Sequence, residues 1–147
     1  MDAASVADMT YDFQVTFDCA DPHPLAAWWA EALGWTPEPT DEAFIRRMVA
    51  EGQAREEDTT TYRGALVWKV GAAIRHPESA GRVLFQLVPE PKTVKNRVHL
   101  DVRVGERREA EVERLTAMGA KVLHRGQQGP FTWVTLADPE GNELCLQ

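Results

Sequence analysis

A strand, an amphipathic helix and a glycine stop follow one another twice in this chain, with the same spacing. Gln14 to Gly34 spans 20 residues and His99 to Gly119 spans 20, the second copy starting 85 residues after the first. The copies share pattern and spacing rather than residue identity. Such a repeat constrains the fold strongly, because each copy must be one supersecondary unit. In the first copy Tyr11–Asp18 alternates: Phe13, Val15 and Phe17 share one face, and Gln14, Thr16 and Asp18 share the other. Asp21-Pro22 then opens a helix, with Asp as N-cap and proline at the first helical position. Leu25, Trp28, Trp29, Ala32 and Leu33 fall on one stripe, and Gly34 is placed to end the helix in a left-handed conformation. Trp35–Pro39 is a short edge piece with two prolines. In the second copy Arg97–Val104 alternates, with Val98, Leu100 and Val102 on one face and His99, Asp101 and Arg103 on the other. Glu106–Met118 is a charged helix with Val112, Leu115 and Met118 along its seam, stopped by Gly119.

After its helix each copy continues mainly in strands. Gly34 to Gln86 is 52 residues but Gly119 to Cys145 is 26, so the first copy carries an insertion. We place it at about 41–61: Asp41–Glu57 has Phe44, Ile45, Met48 and Val49 at helical spacing, and Gln53–Thr61 is polar. Tyr62–Ile74, with Leu66, Trp68 and Val70 on one face, and Val83–Val88 are the remaining strands of that copy, joined by a turn at Arg75–Gly81. Pro89–Asn96 connects the copies. Lys121–His124 and Phe131–Leu136 are strands of the second copy, with a turn at Gly126–Pro130 between them. Asp138-Pro139-Glu140-Gly141-Asn142 is dense turn chemistry. Glu143–Gln147 then alternates polar and apolar, so the chain ends on a hairpin arm with one greasy face and one polar face.

The expected architecture is α+β: one domain over 1–147, made of two β-α-β-β-β modules that form a cupped mixed sheet. Module one covers about 11–89 with its insertion, and module two about 96–147. Each helix covers the apolar face of its own sheet. The polar faces carry Gln14, Thr16, Asp18, His99, Asp101, Arg103, Glu143 and Cys145, and are left to line a shared concavity. That is the usual setting for a small ligand.

Composition narrows the function class. The net charge of −7 argues against a nucleic-acid partner, since such proteins concentrate positive charge. No apolar run approaches the ~20 residues of a membrane span. Met1–Met9 lacks the basic start and apolar centre of a secretory signal. Two widely separated cysteines, Cys19 and Cys145, fit a reducing cytoplasm, and a single bridge between them remains open.

Three stretches together resemble the vicinal oxygen chelate superfamily, which includes glyoxalases, bleomycin-resistance proteins and extradiol dioxygenases. They are Phe13–Asp18 with Asp21-Pro22 and the helix to Leu33-Gly34-Trp35, Asn96–Val102, and Asp138-Pro139-Glu140-Gly141-Asn142-Glu143-Leu144-Cys145. Within it the chain is most similar to the glyoxalase-like proteins of actinobacteria. The resemblance implies one metal ligand on each of four strands, at Gln14, Gln86, His99 and Cys145. Active members usually carry His or Glu there. Neutral amides are weak donors for a divalent ion, so this set disfavours iron or nickel chemistry and leaves a soft ion such as zinc as the alternative.

Each candidate also has a plain structural role. His99 is the residue type that most readily carries a proton at neutral pH, with Asp101 to orient it; the plain alternatives are a hydrogen-bonded histidine and a salt bridge from Asp101 to Arg97 or Arg103. Cys145 is a ligand or nucleophile only if its thiolate is stabilised, and otherwise a small buried hydrophobe. Glu143 faces the cup or caps the preceding turn. Trp68 and Trp133, on central strands, are pocket walls or core, whereas Trp28 and Trp29 are core. His23, His76 and His124 belong to turns or strand ends and are expected to be exposed. Arg107–Arg114 is a solvated helix face. The ligand-binding set is thus Gln14, Thr16, Gln86, Trp68, Trp133 and Glu143, with His99 and Asp101 as the acid–base pair. The expected function is binding of a small aromatic or vicinal-oxygen ligand without the usual metalloenzyme chemistry. The alternative is a metal-dependent or metal-free lyase, isomerase or dioxygenase. The resemblance also implies a homodimer.

Overall fold

The computed structural model describes residues 9–147; apart from Met9, the segment considered as a secretory signal lies outside the described residues. Chain order runs β1 (Val15–Cys19), α1 (Pro22–Leu33), β2 (Thr36–Pro37), α2 (Glu42–Ala50), β3 (Thr59–Tyr62), β4 (Ala65–Trp68), β5 (Gly71–Arg75) and β6 (Arg82–Leu87). It continues with β7 (Leu100–Val102), α3 (Arg108–Ala117), β8 (Lys121–Gln128), β9 (Phe131–Ala137) and β10 (Glu143–Leu146). The two large sheets have strand orders β1-β6-β5-β2 and β7-β10-β9-β8. In each, the first and last strands of the copy pair in parallel and the other pairings are antiparallel. The topology is therefore duplicated, and β-α-β-β-β describes both copies once α2, β3 and β4 are set aside.

The insertion runs further than the expected 41–61. Tyr62–Ile74 is not one strand. Arg63 (φ 50°) and Gly64 (φ 80°) make a turn with both central residues left-handed, the geometry that suits a tight hairpin. Thr59–Trp68 thus folds back on itself as a separate two-stranded sheet, and Trp68 lies on that hairpin rather than on a central strand. Ile45 of α2 and Val67 of β4 are both buried outside the main core cluster.

Strand ends also differ from expectation. The ladder of β1 starts at Val15, opposite Val83. Phe13 therefore has no neighbouring strand and is 85% exposed. Val98 likewise precedes β7 and is 75% exposed. β8 continues to Gln128, which shortens the expected Gly126–Pro130 turn to its last two residues.

The polar alternation sorts the faces as the pattern requires. Phe17, Val83 and Phe85 from the first sheet join Val134, Leu136, Leu144 and Leu146 from the second in one core cluster with Trp29 and Leu115 of the helices. The helices are tied to each other: Trp28 Nε1 donates to Met118 O at 2.9 Å, and Arg114 donates to Ala32 O at 2.9 Å at the C-terminal end of α1. A cation there also complements the helix dipole. Asp21 occupies the N-cap of α1 but its side chain makes no cap bond. The Glu140 carboxylate, from the distant β9–β10 turn, accepts from Ala20 N (2.6 Å) and Asp21 N (3.1 Å) instead.

Asp138 holds that turn. Its buried carboxylate accepts from Trp29 Nε1 at 2.8 Å, Glu140 N at 2.9 Å and Asn142 N at 3.0 Å. Burial pushes its pKa up, while the three donors oppose the rise. Asp138→Ala should cost about 3 kcal/mol or more, because it strands several buried donors; Trp29→Phe, which removes one donor and keeps the other two bonds, should cost less. Urea unfolding midpoints would check the ranking, and an unchanged midpoint for Asp138→Ala would contradict it.

Candidate functional site

One polar rung crosses the second sheet. The register places Asp101 of β7 beside Cys145 of β10, Cys145 beside Thr135 of β9, and Thr135 beside His124 of β8. His99 stands just ahead of β7. These residues, with Trp133 and Glu143, line a hollow of about 580 Å³ on the sheet face away from the core. His99 Nε2 lies 3.3 Å from Asp101 Oδ1, so the side chain that meets Asp101 is His99, not Arg97 or Arg103. Thr135 Oγ1 and Cys145 Sγ are 3.2 Å apart. One donor atom each from His99, Asp101 and Cys145 lie within 4.8 Å of one another.

Lys95, Leu123, His124, Thr135 and Gln147 also line this hollow and were not among the expected site residues. Thr135 follows from strand alternation, but His124 does not. A β-bulge between Val122 and His124 adds a residue to β8, so Val122 pairs with Leu136 and His124 with Thr135. Without the bulge, residues two apart would share one face. The bulge turns His124 towards the hollow, and no periodicity signals it in advance. His23 also departs from expectation. It lies in α1, stacks on Tyr62 at 5.5 Å and bonds Trp68 O at 2.7 Å.

Glu143 borders the hollow but is committed to the inter-module connection. Its carboxylate accepts from Asn96 N at 3.2 Å, with Lys95 Nζ at 3.5 Å and Lys92 Nζ at 3.6 Å. Burial alone would raise its pKa, yet the Asn96 bond and the two lysines outweigh that and hold it below the ordinary carboxylate value. Cys19 and Cys145 are both free thiols. Cys19 faces the core side, and burial pushes its pKa up to about 12, which keeps it protonated and inert.

The first-sheet candidates do not join this hollow. Gln14 Oε1 accepts from Arg82 Nη1 at 2.9 Å, and Arg82 is itself paired with Glu38 at 2.8 Å. Gln86 is exposed on β6. Thr16 lines a separate space of about 920 Å³ between β1 and the segment leading to β7, with His99 at its border. Trp68 lines a third, about 640 Å³, with His23 and Tyr62. Of the four metal positions implied by the resemblance, His99 and Cys145 line one hollow, while Gln14 and Gln86 lie on the first sheet. The two amides are weak donors for a divalent ion, and Gln14 is already bonded to Arg82. The residues that could hold a metal are His99, Asp101 and Cys145, and a thiolate-bearing set suits a thiophilic ion.

Because the folded pKa of Glu143 is depressed, the stability it lends is present above the unfolded carboxylate value of about 4.3 and is lost as pH falls through the folded value. Glu143→Gln should flatten the acid limb of a stability–pH profile. An unaltered acid limb would contradict that.

A family model described as a glyoxalase-like domain matches residues 14–147. No curated protein matches the chain. Among solved structures, the fosfomycin resistance protein FosX from Listeria monocytogenes, complexed with Mn(II) and a sulfate ion, is similar at a TM-score of 0.62 and 9% identity, covering 95% of this chain and 90% of its own. TioX from Micromonospora sp. ML1 is similar at 0.53 and 17%, covering 93% and 97%. The bleomycin-binding protein of Streptomyces verticillus is similar at 0.50 and 13%, covering 95% and 98%. At these identities the structures show a shared fold, and with the matched span and the duplicated topology the chain belongs to the glyoxalase-like domain family of the vicinal oxygen chelate superfamily.

Proposed function

We propose that the protein binds a small aromatic or vicinal-oxygen compound in the hollow of its second sheet, without the usual metalloenzyme chemistry of the superfamily. The observation that carries this reading is the contrast between two neutral amides on the first sheet and an aromatic-walled polar hollow on the second. The first sheet offers Gln14, already bonded to Arg82, and the exposed Gln86, while the second offers a hollow with an aromatic wall and a few convergent polar groups. Such a hollow suits a small organic ligand. His99 and Asp101 then bond the ligand's polar edge, and Trp133 packs on its apolar body. Of the structures sharing this fold, the bleomycin-binding protein is complexed with copper(II)-bleomycin, which supports a binding role. Two free thiols support a reducing, cytoplasmic setting. A homodimer is the assembly that the family resemblance implies.

The second reading is a lyase, isomerase or dioxygenase. The His99–Asp101 pair favours it, being a base beside the group that would orient it. FosX complexed with Mn(II) has the same fold.

Catechol, both aromatic and vicinal-oxygen, separates the readings. Calorimetric titration should show saturable binding to metal-free protein, weakened about tenfold by His99→Ala, the scale of roughly one hydrogen bond to a charged or polar partner. Elemental analysis of the purified protein should find no stoichiometric metal that depends on His99. Stoichiometric zinc or iron lost in His99→Ala would overturn the binding reading in favour of the enzymatic one.

A further inference from the structure

β8 is exposed along its length except at one residue. That residue is Gly126, which has no side chain of its own to bury. Its direct antiparallel partner is Trp133. A β-carbon added at Gly126 would fall 2.1 Å from Trp133 Cε2, 2.3 Å from Cζ2 and 2.5 Å from Nε1. The indole therefore leans across from β9 and lies over the Gly126 α-carbon. Long side chains on a sheet usually stand away from it. Glycine inside a strand weakens the strand, and its presence there commonly marks a close approach by another group. Here that group is the ring that walls the hollow.

The other tryptophans of the core are used differently. The Trp28 and Trp29 indoles donate to Met118 O and Asp138 and are buried. Trp133 is only half-buried and lines the hollow together with Leu123, Thr135 and Cys145, with His99 and His124 beside them. A ring laid on backbone in this way offers a flat apolar surface to whatever enters. Aromatic rings favour stacked partners over rounded ones of equal area.

Resting on the reading that this hollow binds a small ligand, we infer that Gly126 is a specificity-determining positioning residue. It lets the Trp133 indole lie flat as a stacking platform, and the platform selects planar aromatic ligands over globular aliphatic ones. A methyl group at position 126 meets atoms of the indole ring and not backbone, so Gly126→Ala should tilt the ring and leave the sheet in place.

The test uses two probes of like charge: proflavine, a planar tricyclic cation, and 1-adamantanamine, a globular cation. Binding to wild type and Gly126→Ala is followed by calorimetry and by the indole N–H signals of the five tryptophans, with the Trp133 signal assigned from Trp133→Phe. Wild type should bind proflavine with the tighter affinity and shift the Trp133 signal. Gly126→Ala should weaken proflavine roughly tenfold, the scale of one aromatic stack, and leave adamantanamine unchanged. If Gly126→Ala does not fold, Trp133→Leu should show the same selective loss with the other four indole signals in place. Equal losses for both probes, or no loss for proflavine, would overturn the inference and leave the binding reading standing. Wild type binding adamantanamine but not proflavine would do the same. Wild type binding catechol but neither cation would overturn the inference alone, and binding none of the three would overturn both.

Discussion

A buried carboxylate, Asp138, stands at the seam between the two halves of this protein. Asp138 receives the Trp29 indole from the first module while its other oxygen closes the turn that launches β10. The same turn sends Glu140 back to the start of α1, where it does what the Asp21 side chain does not. Three donors around one acceptor group fix the angle at which β10 enters its sheet. β10 carries Cys145 and Glu143, so the geometry of the polar rung depends on a contact made on the opposite side of the sheet. A buried carboxylate without those donors would be costly; with them it is an anchor.

Alternation along the strands then divides labour between the two faces. Leu144 and Leu146 go down to the shared core, and Cys145 goes up between Asp101 and Thr135. Glu143 starts the same strand but serves the chain rather than the hollow, because Asn96, Lys92 and Lys95 gather on it. That clamp positions the connection immediately ahead of His99. Stability and site geometry thus meet in one strand of four residues.

The fold was largely legible because its evidence is periodic. Equal strand–helix–glycine spacings encoded the duplication, and apolar stripes encoded which faces meet in the core. Phe13 and Val98 fitted the alternation but lack a neighbouring strand, and a pattern local to one strand carries no information about where its partner begins. Trp68 was assigned to a central strand because Leu66, Trp68 and Val70 alternate; a bend at Lys69–Val70 ends β4 before β5 begins, and the left-handed Arg63, a residue that does not announce a turn, folds β4 back on β3. Within the site, His99, Asp101 and Cys145 followed from parity on adjacent strands. His124 did not, since one extra residue in β8 reverses parity. Gln14 and Gln86 stand on the first sheet, where the first copy places them, and do not line the His99–Cys145 hollow; strand parity carries no information about the distance between two sheets.

The central claim is that ligand chemistry belongs to the second sheet alone. Backbone amide shift mapping with catechol tests it most directly. The account predicts that perturbed amides concentrate on β7–β10 around His99, Asp101, Thr135 and Cys145. Perturbations centred on β1 and β6, or on the β3–β4 hairpin around Trp68, would contradict it.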